Sequence, residues 1–225
     1  RVLFRSQGVG SVDTQAGDIR LDATATVTVS GGRVLNRLLT GAIGKGGDIH
    51  IRAESLSLTN GSQIDASIFG QGAGGDLVVT AQYIDLIGTS ADGRFPSGIF
   101  ADVESATTGK GGNLTIETET LLVSEGAVVS ASTFGKGDAG NLTVRASESV
   151  IVSGTGPVDG NTSILSTQVN LEGEGKGGNL TIETGQLLLE RGGQVSVSTF
   201  GTGNGGNLTI EAETLLVGEG AEVSA

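Results

Sequence analysis

The sequence predicts an all-β chain wound as a parallel β-helix, with three short strands in each coil. Three observations carry that expectation. A phrase made of glycines, one Asn or Asp and a strand-like aliphatic pair recurs seven times. Between recurrences the aliphatic residues fall at alternate positions, the spacing of strands with one buried face. The composition does not suit an ordinary globule, since 225 residues include 40 Gly, 3% aromatics and no Cys, Met or Trp.

The phrase opens at Asp18, Asp48, Asp76, Asn113, Asn141, Asn179 and Asn207, which number coils 1 to 7. The intervals are 30, 28, 37, 28, 38 and 28 residues, so after the first coil short and long units alternate. The stretch before each opening residue is QAG, GKGG, GAGG, GKGG, GDAG, GKGG or GNGG, and reads as a tight turn. A single β-solenoid segment over 1–225 is expected: 1–17 as the tail of a preceding coil, 18–206 as six coils and 207–225 as a truncated one. The missing initiator Met and an ending in mid-pattern, GEGAEVSA, read as a cut from a longer rod.

The first strand follows the opening residue. Its inward columns are Ile19, Ile49, Leu77, Leu114, Leu142, Leu180, Leu208 and, two residues on, Leu21, Ile51, Val79, Ile116, Val144, Ile182, Ile210. The second strand supplies Leu56/Leu58, Ile84/Leu86, Leu121/Val123, Val150/Val152, Leu187/Leu189 and Leu215/Val217. The third supplies Ile64/Ala66, Val129/Ala131 and Val195/Val197, starting at Ile99 and Ile164 in the long coils. No unit of this size buries an apolar face alone, but stacked coils join equivalent residues into continuous interior columns. At the spacing of neighbouring strands, six coils make a rod roughly 30–35 Å long.

The phrases GGNLTIET, LLVSEGAVVSASTFGKGDAGNLTV and QVSVSTFGTGNGGNLTIEAETLLV resemble the repeat region of large cyanobacterial exoproteins that carry a filamentous-haemagglutinin-type secretion domain. The resemblance covers about residues 13–225. It implies a right-handed parallel β-helix, export by the two-partner route through an outer-membrane transporter, an extracellular or outer-surface location and an adhesin-like role. The secretion domain and its recognition motifs are not among these residues.

Charge excludes some partners. With 13 basic and 25 acidic residues, the chain lacks the clustered cations that bind nucleic acid, and no apolar run is long enough for a membrane-spanning helix. The opening Asp and Asn residues are expected to form a structural ladder, satisfying turn groups and bonding to their neighbours along the rod. A calcium roll would need more carboxylates at a nine-residue interval, so neither metal nor cofactor is expected. Four residues after the ladder, Asp22, Arg52, Thr80, Glu117, Arg145, Glu183 and Glu211 form an outward column in which Arg145 is expected to pair with Glu117 and Glu183. Aligned Thr115, Thr143, Thr181 and Thr209 lack the second Thr column that an ice-binding face requires. His50 has no catalytic partner at a recognisable spacing. Phe69, Phe134 and Phe200, at one phase in alternate coils, are expected to pack at a corner rather than stand exposed for carbohydrate stacking.

The irregular stretches GTSADGRFPSG, 88–98, and GTGPVDGNTS, 154–163, enter two long coils at one phase, where Pro, Gly and Asp mark projecting loops. Asp92, Arg94, Phe95 and Asp159 are their candidate ligand-contact residues. β-Helical polysaccharide lyases and hydrolases concentrate ionisable groups in one groove. Here the charges spread as columns and each loop holds one carboxylate, so no catalytic residue is expected. The expected function is a structural and adhesive segment displaying loops to cells, matrix or polysaccharide. The alternatives are a polysaccharide-cleaving enzyme and a passive spacer.

Overall fold

The computed structural model describes residues 3–158 and 160–225, and they form a parallel β-solenoid without a helix. Each circuit adds strands to three sheets, and equivalent residues of successive coils lie in register.

The largest sheet holds the first and second strands together. In coils 1 to 3 they are separate: Ile19–Asp22 and Thr26–Ser30, Ile49–Arg52 and Ser55–Thr59, Leu77–Thr80 and Tyr83–Ile87. From coil 4 they run on as single strands, Leu114–Ser124, Leu142–Ser153, Leu180–Glu190 and Leu208–Val217. Coil 5 carries one extra residue at the junction, and its register shifts there against both neighbours, as a β-bulge does.

The second sheet stacks the third strands, from Leu3–Gly8 and Arg33–Leu38 through Val128–Ser130 to Glu222–Ser224. Its inward column is Ile64, Ile99, Val129, Leu165, Val195. Leu165 rather than Ile164 therefore enters the core of coil 5. Both are aliphatic, so hydrophobicity does not choose between them, and the loop length sets the register.

The third sheet is built from the glycine-rich stretches expected to be turns. Thr14–Gln15, Ile43–Lys45, Gln71–Ala73 and Thr108–Lys110 pair in parallel, and single bridges continue the ladder through Lys136, Glu174 and Thr202. The glycines here and just before the opening residues are imposed by contact between coils. A Cβ on Gly75, Gly112, Gly140, Gly178 or Gly206 would stand 1.7–1.9 Å from the carbonyl oxygen of the equivalent glycine one coil earlier. One position upstream the nearest atom lies 2.8–3.1 Å away, and there Ala16 and Ala139 replace Gly in two coils.

The core is one continuous aliphatic column set, with Ile49, Leu77, Leu114, Leu142 and Leu180 all fully buried. Burying each such side chain contributes about 1.5–3 kcal/mol. Leu38, Ala42, Ile68 and Val103 form a smaller cluster at the corner between the second and third sheets.

Candidate functional site

The opening residues form a hydrogen-bonded column along the rod. Each backbone N–H donates to the side-chain Oδ1 of the residue one coil earlier: Asp48 to Asp18 and Asp76 to Asp48 at 2.9 Å, Asn113 to Asp76 at 2.8 Å. The column continues from Asn141 to Asn113 at 3.2 Å and from Asn179 to Asn141 and Asn207 to Asn179 at 2.9 Å. The amides of Asn113 and Asn141 add side-chain bonds to Asp76 and Asn113. These oxygens serve backbone donors, which is a structural task.

Four surface features remain. The first is the pair of loops. Both are hairpins, closed by antiparallel bridges between Thr89 and Pro96 and between Thr155 and Thr162. Each is rooted by a buried serine: Ser97 Oγ accepts the Gly61 N–H and Ser163 Oγ accepts the Gly126 N–H, at 3.0 and 2.9 Å. In the first loop Asp92 Oδ1 accepts the Ser90 hydroxyl at 2.6 Å and the Arg94 N–H at 3.2 Å. The Ser90 hydroxyl, then that N–H, hold the Asp92 carboxyl below its ordinary pKa. Asp92 therefore shapes the turn. The Phe95 ring has the Arg33 guanidinium 4.5 Å from its centroid and that of Arg94 at 6.0 Å, leaving an amphipathic loop tip. A cleft of about 260 Å³ opens between the loops, with Arg94 and Pro96 on one side and Asn161 and Thr162 on the other. Asp159 lies outside the described residues.

The second feature is a groove where the first and second strands meet. Alanines 23, 53, 81 and 146 lie along it, and the Asp22-to-Glu183 column lines it. About 870 Å³ opens along coils 1 to 4 and about 510 Å³ along coils 4 to 7, with Glu117 and Thr118 common to both. The outward charge column thus flanks a continuous concavity, where the sequence suggested a plain exposed ladder. Arg145 Nε donates to Glu183 at 3.0 Å, and Glu117 on its other side has no ion pair among the described residues. His50 stands exposed on the first strand.

The third feature, invisible in the sequence, is a charged cluster on the outer side of the second sheet. Asp65 is ion-paired with Arg37, whose guanidinium also lies 4.9 Å from the Phe69 ring centroid. Asp102, 5% exposed, accepts from the Ser130 hydroxyl at 2.6 Å and the Ser132 N–H at 2.7 Å. Burial pushes its carboxyl up to about 7, against these bonds, with Glu104 and Asp65 adding to the rise. Burial and Asp65 also raise Glu104. Among the described residues no three acidic or histidine side chains are placed to hold a metal ion.

The fourth is the corner that follows the second sheet. Contrary to expectation, Phe134 and Phe200 are 37% and 56% exposed. A phase in a repeat says that residues align, but not which side of a corner they occupy. They border a depression of about 520 Å³ with Asn170, Leu171 and Glu172.

Comparison with known proteins returns no match: no family model, no curated protein and no solved structure.

Proposed function

We propose that this chain is a structural and adhesive segment of an exported, surface-exposed protein, a stiff rod that displays its loops to cells, matrix or polysaccharide. The observation that carries this reading is the pair of serine-rooted hairpins, entering at one phase two coils apart with a cleft between them. Their roots stand roughly 10 Å apart along the axis, and everything beneath them is registered sheet. Rigid scaffolds that project a few irregular loops commonly place binding there. The likeness of the repeat phrases to cyanobacterial exoproteins supports export through an outer-membrane transporter and an extracellular or outer-surface location.

The buried Asp102 with Asp65 and Glu104 favours a second reading, polysaccharide cleavage, because a carboxyl protonated near neutral pH suits a general acid. Ser130 and Ser132 occupy Asp102, and its 5% exposure leaves it little access to substrate, so this reading stands second.

One experiment separates them. The chain, and a version lacking 88–98 and 154–163, are incubated with extracellular polysaccharides and cell envelopes, and both retention and new chain ends are measured. Retention that disappears with the loops is expected. New chain ends from the intact chain would replace display with catalysis, and no retention of either form would leave a spacer.

A further inference from the structure

The corner after the second sheet makes one backbone demand in every coil. Bridges align Ile68, Val103, Thr133, Val169 and Thr199, so the next residues, Phe69, Glu104, Phe134, Asn170 and Phe200, share a column. Each donates its N–H to the preceding coil at 2.7–3.0 Å, Phe and non-Phe alike. Glu104 and Asn170 meet the same backbone demand in corners two residues longer than those of Phe69, Phe134 and Phe200. The exposed rings of Phe134 and Phe200 are not explained by packing, and neither is Leu171 between them, 82% exposed. Beside them Asn170 Nδ2 is buried from water and donates to no group among the described residues.

We infer that this corner is a binding track for an extended, uncharged β-linked polysaccharide running along the rod axis. The inference rests on the display reading above and names a ligand class for it. Phe134 and Phe200 are two coils apart, roughly 10 Å at the spacing of parallel strands. A β-1,4-linked pyranose chain turns the same face outward at every second sugar, and its two-sugar repeat is closely similar in length. The apolar C–H faces of such sugars pack on aromatic rings, whose large faces contribute contact area and few rotamers. Between the two platforms the exposed Glu172 carboxylate accepts from ring hydroxyls, and the half-buried Asn170 side chain reaches them with its unpaired amide once it turns outward, the donor and acceptor chemistry that fixes a neutral sugar. A net charge of −12 opposes uronate or sulfated chains. An α-linked glucan coils and does not follow a straight column.

The chain contains no Trp, so Phe200→Trp places a single reporter at the corner. Titration of that variant with cellohexaose should shift its emission to saturation, and maltohexaose or hexagalacturonate should not. Calorimetry of the parent with cellohexaose should show binding that Phe134→Ala with Phe200→Ala weakens roughly tenfold or more, with an unchanged melt. The chain lacking both loops should keep this binding. Equal binding by the doubly substituted chain, or no binding of cellohexaose by the parent, overturns the track. Concentration-dependent dimers that the same two substitutions dissolve overturn it in favour of self-contact. Polymer retention lost with the loops but kept without the two rings overturns the track and leaves the display reading standing. Cellohexaose binding without retention on any envelope supports the track and removes the loops from the display reading.

Discussion

A methyl group at Gly140 tests whether contact between coils, rather than turn geometry, explains the glycine columns. In Gly140→Ala the new Cβ would lie 1.8 Å from the Gly112 oxygen and 2.6 Å from its carbonyl carbon. Both are backbone atoms of a ladder packed on each side, so the clash cannot be relieved by a rotamer. The ends of coils 3 and 4 must part locally by about 1 Å or more before the contact is tolerable. The bonds nearest the site are Gly111 N–H to Asp138, Leu114 N–H to Asn141 and Asn141 N–H to Asn113 Oδ1, at 2.9, 2.8 and 3.2 Å. Losing two or three of them costs about 2–4 kcal/mol, in the upper range of overpacking. Gly218→Ala is the control, because nothing lies within 4 Å of its Cβ and its φ is unexceptional. That change should be neutral or stabilise by about 0.4–1 kcal/mol. Urea unfolding followed by far-UV circular dichroism measures both, with amide exchange in coils 3 to 5 locating the damage. A loss below about 0.5 kcal/mol for Gly140→Ala would refute the contact argument and return those glycines to a turn role.

Three further outcomes are expected. Asp102→Asn keeps an acceptor for Ser130 and Ser132 but cannot ionise. The folded-state pKa of Asp102 lies above its ordinary 3.8, so the folded chain binds the extra proton and stability falls as pH rises from there through about 7. The variant should equal the parent at pH 3.5 and exceed it at pH 8 in thermal melts, and parallel pH profiles would count against the buried carboxyl. Glu125 adopts a left-handed φ of 56° before Gly126, at the turn where coil 2 has Asn60 at 57°. Glu125→Asn should stabilise by roughly 0.5 kcal/mol in urea melts, since Asn tolerates that region better. Leu114→Ala, in the fully buried first column, should cost about 2–5 kcal/mol, whereas Arg145→Gln, which breaks only an exposed pair, should cost about 0.5 kcal/mol or less.

The columns that build the interior were legible because Leu, Ile and Val at alternate positions leave no other economical burial. Ile49, Leu77 and Leu114 stand where the repeat put them, one above another. The third sheet was hidden by its own chemistry, for Gly72 and Gly109 sit in strands yet have no side chain to advertise a face. The slip between Ile164 and Leu165 arose where a ten-residue loop precedes two equally apolar candidates. The Arg37, Asp65, Asp102 and Glu104 cluster draws on coils 1 to 3 and three phases, so no single window contains it. Its column gave no signal, because Asp65 stands between Leu35 and Phe100, and the serine run of Ser130, Ser166, Ser196 and Ser224 begins only after them. The corner rings were seen as aligned, but their exposure depends on which way the chain bends there.

The glycine column also limits how such a chain can change length. A one-residue deletion upstream of an opening residue would push a side-chain-bearing residue against the carbonyl of the coil beneath and misalign the Asp/Asn column at once. By contrast, the coils of 37 and 38 residues coexist with those of 28 by taking up most of their extra length at the hairpin phase, two residues at the corner after the third strand and, in coil 5, one at the bulge. Growth of the rod is therefore quantised in whole circuits, while extra residues within a circuit are taken up mainly at the hairpin phase and in ones and twos at the bulge and the corner. A lineage of such proteins would be expected to differ by integers along the axis and by arbitrary amounts at the hairpins.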